Sequence, residues 1–184
     1  MTVVRGFGHE TTAADTPVEW YTPAWVFELL AVQFDLDPCA PAGGLPWITA
    51  RQFYSLPQNG LELPWHGKIW CNPPYGAETK KWLKRMNEHR NGIALVFARP
   101  DTDWFHAYAA KADAILFVKG RIKFVDKSGN PPLVLDKKTG EMKPSGPGAG
   151  SMLLAWGAEC STALERNSDK GFLVMQRKPA EYDL

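Results

Sequence analysis

Four consecutive residues, Asn72-Pro73-Pro74-Tyr75, follow directly on a short apolar run, Lys68-Ile69-Trp70-Cys71. Together they suit the capture of a planar exocyclic amine. Such an amine on a heteroaromatic ring is a poor nucleophile, because its lone pair is delocalised into the ring. An enzyme that methylates it must accept both amine hydrogens and leave the lone pair facing an electrophile. The Asn72 side-chain oxygen supplies one acceptor. The Pro73 carbonyl supplies the second, and Pro73 and Pro74 fix φ so that this carbonyl holds its direction. Tyr75 offers a ring face on which a base stacks. The reaction these residues fit is methyl transfer to an amino nitrogen, with S-adenosylmethionine as donor. No general base is demanded, since the methylated amine is strongly acidic and gives its proton to water. The competing reading is an ordinary turn, because Asn-Pro and Pro-Pro both mark loops. What favours chemistry is context: a strand before the motif, an amphipathic helix after it, and a second motif upstream.

That second motif is Phe34-Asp35-Leu36-Asp37-Pro38-Cys39-Ala40. Phe34 and Leu36 alternate as in a short strand, and Pro38 ends it. A carboxylate at the carboxyl end of the first strand of an open α/β sheet lies at the crevice where cofactors bind. Asp37 is expected there, and it suits a ligand with hydroxyls or positive charge. The alternative is a solvated Asp in a turn. The continuation Pro41-Ala42-Gly43-Gly44 does not spell the usual G-x-G.

Trp20-Tyr21-Thr22-Pro23, then Asp37-Pro38-Cys39-Ala40, then Asn59-Gly60-Leu61, then Trp70 to Tyr75 resemble, in that order, the phage-type DNA N6-adenine methyltransferases. Gly120-Arg121-Ile122-Lys123-Phe124 and Gly150 to Trp156 extend the likeness, which spans residues 19–157. The resemblance implies a Rossmann-like S-adenosylmethionine-dependent methyltransferase fold, an α/β domain with a mixed, mostly parallel sheet flanked by helices. It implies double-stranded DNA as partner, S-adenosylmethionine as cofactor, and a phage- or prophage-encoded protein working in the bacterial cytoplasm. It also marks Trp20, Tyr21, Thr22, Pro23, Asp37, Pro38, Cys39, Ala40 and Asn59 as cofactor contacts. For Trp20 and Tyr21 a second reading stands beside this one, a staple at a helix start. Asn59 departs from the family, which usually has Asp before Gly-Leu; an amide still accepts a hydrogen bond, but the charge is gone. Adenine rather than cytosine N4 follows from the resemblance alone, since the same tetrapeptide serves cytosine amines and the glutamine amide of protein substrates. A catalytically inactive DNA- or cofactor-binding protein is the alternative outside enzymes.

Charge is distributed unevenly although the net is only +1. Residues 1–37 carry Arg5 against six acids, whereas residues 119–143 carry seven basic residues against Asp126, Asp136 and Glu141. The basic residues Arg121, Lys123, Lys127, Lys137, Lys138 and Lys143 form one candidate DNA contact. Lys80, Lys81 and Lys84, behind the Asn72 motif and close to Arg85 and Arg90, form another. Two basic stretches flanking one site are what a phosphate backbone requires; a solvated surface is the plainer reading.

The elements that must position these groups alternate along the chain. The 184 residues, 45% hydrophobic with eight Trp, suit one compact domain and exclude a disordered chain. Residues 1–16 are expected to be loose, 17–177 to form the catalytic domain and 178–184 a tail. No apolar run approaches a membrane span and no signal peptide is expected at the amino terminus. Cys39, Cys71 and Cys160 match no zinc or disulfide pattern and read as reduced core residues, with no metal site. Thr22 is expected to cap a helix over 24–32 with Pro23 at its first position. Strands are expected at 34–37, 53–55, 68–71, 93–98, 114–118, 121–125 and 152–156. Helices are expected at 79–91 and 104–112. Residues 126–150 are expected to form a long Gly-, Pro- and Lys-rich loop, and loops of that length inside a small domain are usually functional.

Overall fold

The computed structural model describes residues 21–176 except Pro132, Lys137, Ser145 and Gly146. The expectations for 1–16 and 178–184 lie outside these. Pro23 is extended (ψ 153°), so helix α1 spans Ala24–Leu30 with Pro23 itself at the N-cap. The expected Thr22 cap is therefore corrected: its hydroxyl makes no cap bond. Ala31 turns left-handed (φ 48°) and closes the helix one residue after Leu30, short of Val32.

Strand β1, Phe34–Asp37, follows, then β2, Ala50–Phe53, three residues earlier than expected. Strand β3 is Ile69–Cys71, helix α2 Thr79–His89 and strand β4 Gly92–Phe97. Helix α3, Asp103–Ala107, runs into a single 3₁₀ turn at Ala109–Lys111 before strand β5, Ala114–Val118. Two short strands, β6 (Leu133–Leu135) and β7 (Met142–Pro144), pair only with each other. Strand β8 (Ser151–Trp156), helix α4 (Ala158–Glu165) and strand β9 (Gly171–Met175) complete the chain.

The main sheet has seven strands in the order β2-β1-β3-β4-β8-β5-β9. Neighbours from β2 to β4 pair in parallel, while β8 runs antiparallel to both β4 and β5, and β9 antiparallel to β5. Strands β1 to β5 thus share one direction, the mixed, mostly parallel sheet that was expected. Among the described residues no helix is long and apolar enough to cross a membrane.

Period-two alternation sends the strand residues to two cores. On one face Trp70, Ile93, Leu95 and Leu153 lie under α1, α4 and the segment carrying Ile122 and Phe124. Trp70 is fully buried there, its ring 4.7 Å from that of Phe27 and 5.6 Å from that of Phe34. On the other face Cys71, Ala94, Val96, Leu154 and Trp156 pack under Trp82, Leu83 and Met86 of α2. Each large apolar side chain buried in this way contributes roughly 1.5–3 kcal/mol.

The strand expected at 121–125 does not form. Strand β8 fills the space between β4 and β5, and β9 takes the outer edge of β5, so neither edge of β5 is left for the segment that follows it. It crosses the face instead, burying Ile122, Phe124 and Val125, and among the described residues it pairs through a Tyr21–Val125 bridge.

Candidate active site

Strand β1 leads outward to β2, and the chain then returns to the opposite side of β1 to form β3. That reversal opens a crevice at the carboxyl ends of β1 and β3. Asp37 is the last residue of β1, Cys71 the last of β3, and Asn72 the first beyond it. The Cys39 and Cys71 sulfurs lie 3.8 Å apart, so the two motifs touch across the crevice.

Within the Asn72–Tyr75 motif the Tyr75 hydroxyl donates to Asn72 Oδ1 at 3.0 Å. The Tyr75 ring stacks on Phe97, at the end of β4, with centroids 4.2 Å apart and planes 23° apart. Phe124 meets Tyr75 edge-on at 6.1 Å and Phe97 at 6.4 Å. Thr79 Oγ1 donates to the Pro74 carbonyl at 3.1 Å and ties the two prolines to the start of α2. Burial, with the Cys39 and Cys71 thiols second, pushes the Tyr75 phenol upward, so it remains a neutral donor. Burial and the Cys71 hydrogen bond likewise push the Cys39 thiol well up, leaving it a poor nucleophile.

Asp37 is buried, with its Oδ1 accepting the Cys39 N–H at 3.0 Å. Loss of hydration raises its carboxyl to about 7, against the lowering effect of that hydrogen bond. Among the described residues no cation forms an ion pair with it. The Asn59 segment abuts the same strand end, since a Cβ on Gly60 would sit 1.8 Å from the Pro38 carbonyl oxygen. Only glycine permits that approach. Asn59 itself is exposed and folds its turn locally, Oδ1 accepting the Leu61 N–H at 3.1 Å. Ala40 is buried and bonds through its N–H to the Tyr54 carbonyl at 3.0 Å.

Tyr21, Thr22 and Pro23 reach this region through Val125. Tyr21 and Val125 exchange backbone hydrogen bonds at 2.8 and 2.9 Å, which sets Tyr21 beside the segment that carries Phe124. The Thr22 carbonyl accepts from Trp47 Nε1 at 2.9 Å, while its hydroxyl is buried with no partner among the described residues. Trp20 lies outside the described residues. Among the described residues no three His, Cys, Asp or Glu side chains gather to hold a metal.

The model of the DNA N-6-adenine-methyltransferase (Dam) family matches residues 10–162. The chain belongs to this family. No curated protein and no solved structure matches it. The enzyme is thus a methyltransferase that acts on the N6 amine of adenine in DNA, and that reaction needs a methyl donor.

The expected DNA-contact residues of the methyltransferase divide between the two faces of the sheet. Lys80, Lys81 and Lys84 are exposed on α2, where Lys81 pairs with Glu78 at 3.0 Å and Lys84 with Glu88 at 3.7 Å. Arg85 turns inward over Trp65 and donates to the Gly60 and Leu63 carbonyls. On the other face, Arg121 donates to the Pro147 carbonyl at 2.7 Å and Lys127 to that of Ala42 at 3.4 Å. Lys143 pairs with Asp136 at 2.7 Å, whereas Lys123 and Lys138 are exposed; Lys137 lies outside the described residues.

Three residues at the site escaped the sequence reading. Phe97 ends a continuously apolar strand and so reads as core. Phe124 enters the sequence reading through the Gly120 to Phe124 motif and the expected strand, but not as a residue of the site. Ser151 pairs directly with Phe97 and buries a hydroxyl that has no partner among the described residues. A polar residue opening an apolar strand opposite Phe97 was the available signal, and reading it required the register of β4 on β8.

Proposed function

We propose that the methyltransferase takes its methyl group from S-adenosylmethionine and acts on an adenine flipped out of double-stranded DNA. The carrying observation is the Asn72–Tyr75 hydrogen bond at the crevice, directly across from the buried Asp37. The residues fit the cofactor. Among the described residues Asp37 is a buried carboxyl without a cationic partner, and Thr22 offers a buried hydroxyl without a hydrogen-bond partner. A ligand bearing hydroxyls and positive charge relieves both. Tyr21, Pro23, Pro38, Cys39, Ala40, Asn59 and Trp20 are the further candidate contacts. When bound, S-adenosylmethionine supplies a methyl group made electrophilic by its sulfonium.

The protein's own work is to hold the amine. An amide oxygen has two lone pairs, and on Asn72 one of them takes the Tyr75 hydroxyl. That bond fixes which end of the amide faces the substrate and leaves the second lone pair for one amine hydrogen. The Pro73 carbonyl accepts the other. The Tyr75 ring, braced by Phe97, is the stacking surface for the base. Lone-pair alignment and preorganised acceptors then account for catalysis without a general base.

The test is product identification. The protein is incubated with methyl-labelled S-adenosylmethionine and unmethylated duplex DNA, and the DNA is digested to nucleosides. The label is expected in N6-methyldeoxyadenosine. Label in N4-methyldeoxycytidine, or none in DNA despite bound cofactor, overturns the reading.

A further inference from the structure

The two edges of the main sheet are protected to different degrees. Strand β2 forms one edge, and Arg51 stands on it with its side chain 70% exposed, 3.8 Å from Asp35. A charge on an edge strand discourages a further strand from pairing there. Strand β9 forms the other edge, and from Gly171 to Gln176 the chain carries no charged residue and no proline. Its apolar side chains are bare: Phe172 is 70% exposed, Met175 43% and Val174 36%.

The hydrogen bonds to β5 fix which backbone groups point outward. Lys119 N–H donates to the Lys170 carbonyl at 2.8 Å, and Gln176 N–H to that of Asp113 at 2.9 Å. The pairs Phe117–Phe172 and Ile115–Val174 fall in the same phase. Even-numbered residues of β9 therefore face β5, and in an antiparallel ladder the alternate residues turn their N–H and C=O the other way. Leu173 and Met175 present theirs at the edge, where among the described residues no strand follows. The Gly171 carbonyl joins them, while its N–H donates to the Ser168 carbonyl.

This pattern is complementary to itself. A second β9 set antiparallel, with Leu173 opposite Leu173, places Gly171 opposite Met175 and Phe172 opposite Val174. Leu173 N–H then meets the Leu173 carbonyl of the other copy, and Met175 N–H meets the Gly171 carbonyl, each twice by symmetry. Phe172 and Val174 share one face, on which the Phe172 ring lies 6.4 Å from that of Phe117. Across the seam each Phe172 meets the Val174 of the other copy, an aromatic–β-branched pair of the kind that stabilises sheets. Lys170 comes level with the neutral Gln176, so no like charges oppose one another.

We propose that β9 is an interface between two copies of this chain, which join edge to edge into one continuous sheet about a two-fold axis normal to it. The interface is isologous, the same strand serving both copies. Antiparallel pairing turns the second copy end over end, so its crevice opens at the opposite end of the joined sheet. Strands β4, β8 and β5 separate β3 from β9, so both crevices stay open. The dimer thus presents its crevices to two separate stretches of duplex, not to both strands of one site.

Sedimentation equilibrium of the wild-type protein from about 1 to about 100 μM is expected to reach twice the chain mass, a range suited to a small interface. Met175→Pro removes an N–H that faces the other copy and leaves the β5 ladder whole. It should weaken the dimer about tenfold or more, with the methylation rate per chain unchanged. Phe172→Lys/Val174→Lys should abolish the dimer, because the register sets lysine against lysine. Phe172→Lys/Val174→Glu should restore it, because each lysine then faces a glutamate of the other copy. That pair of variants carries the test should Met175→Pro fail to fold. A monomer throughout the range overturns the proposal, as does a dimer that survives both the proline and the two lysines. Equal behaviour of the two charged variants overturns the register. A monomer that dimerises only when residues 177–184 are deleted assigns the edge to that segment and overturns the proposal too.

Discussion

The crevice between β1 and β3 and the arm between β5 and β8, which carries the β6–β7 hairpin, lie toward the same end of the molecule, because β5 runs with β3 and β4 while β8 returns against them. They are built in opposite ways. In the crevice almost every group is held. Asn72 is bonded to Tyr75, Tyr75 is stacked on Phe97, Pro74 is tied to Thr79, and Cys39 touches Cys71. In the hairpin the backbone is closed on itself while the largest apolar side chains face solvent. Chemistry that depends on lone-pair direction needs preorganisation, because misplaced acceptors forfeit the alignment. Recognition of a long polymer needs the reverse, a surface left open until the partner covers it. A substitution in the crevice should therefore act on turnover, and one in the arm on capture of DNA.

The largest effect expected is at Asn72. Asn72→Ala removes one of two acceptors on the amine and also removes the bond that the Tyr75 hydroxyl makes to Oδ1. Single-turnover methylation should drop about a hundredfold or more, the scale of deleting one preorganised hydrogen-bonding group. Cofactor affinity by calorimetry should hardly move. Asn72→Asp, which retains an acceptor oxygen, should be less damaging. Turnover near wild type in Asn72→Ala would return the motif to an ordinary turn.

How much of this was legible follows from where each signal sits. Asn72, Tyr75 and Asp37 announce themselves locally, as polar residues set immediately behind short apolar runs, and the structure brings those runs side by side. The mixed sheet was legible for a similar reason, because apolar runs separated by amphipathic segments leave few arrangements. Phe97 and Ser151 were not legible, because their meaning depends on the pairing of β4 with β8, which joins residues more than fifty positions apart. The hairpin was hidden because three-residue strands set among Gly, Pro and Lys carry too little pattern to separate from loop. Helix α4 and strand β9 drew no expectation. The helix is short and rich in small residues, and β9 is an edge strand with Phe172, Val174 and Met175 exposed, so neither shows a strong period.

An intermediate effect is expected at Asp37, and it depends on pH. Its carboxyl titrates near 7 in the folded chain, against 3.8 for an ordinary Asp. Between these values the folded state holds the proton more tightly than the unfolded state, so this group's contribution to stability falls as pH rises from about 4 to about 7. Asp37→Asn should abolish that fall, which shows as a flatter melting temperature across this window than wild type. If the carboxylate is the form that meets a cationic cofactor, S-adenosylmethionine affinity should rise as pH passes through 7 in wild type. In Asp37→Asn the affinity should be weaker, by about tenfold at pH 8, and independent of pH. Unchanged cofactor affinity at both ends of the window would make Asp37 a purely structural buried acid.

The smallest effect expected separates the two basic faces. Lys123 and Lys138 are exposed on the arm, whereas Lys81 and Lys84 on α2 already sit beside Glu78 and Glu88. Exposed ion pairs of the latter kind are weak, yet a carboxylate beside each ammonium lowers the local potential that a phosphate meets. Lys123→Ala/Lys138→Ala should therefore weaken duplex binding severalfold and flatten its dependence on salt, by up to about one unit of slope for each phosphate left without its lysine. Lys81→Ala/Lys84→Ala should change the slope less. Melting temperature and cofactor affinity should hold in both, since none of the four side chains is buried. The reverse ranking of slopes would place the phosphate track along α2, on the face opposite Phe124. Equal slopes would mean that the duplex spans the edge of the sheet and touches both faces, the geometry in which the crevice lies between the two tracks.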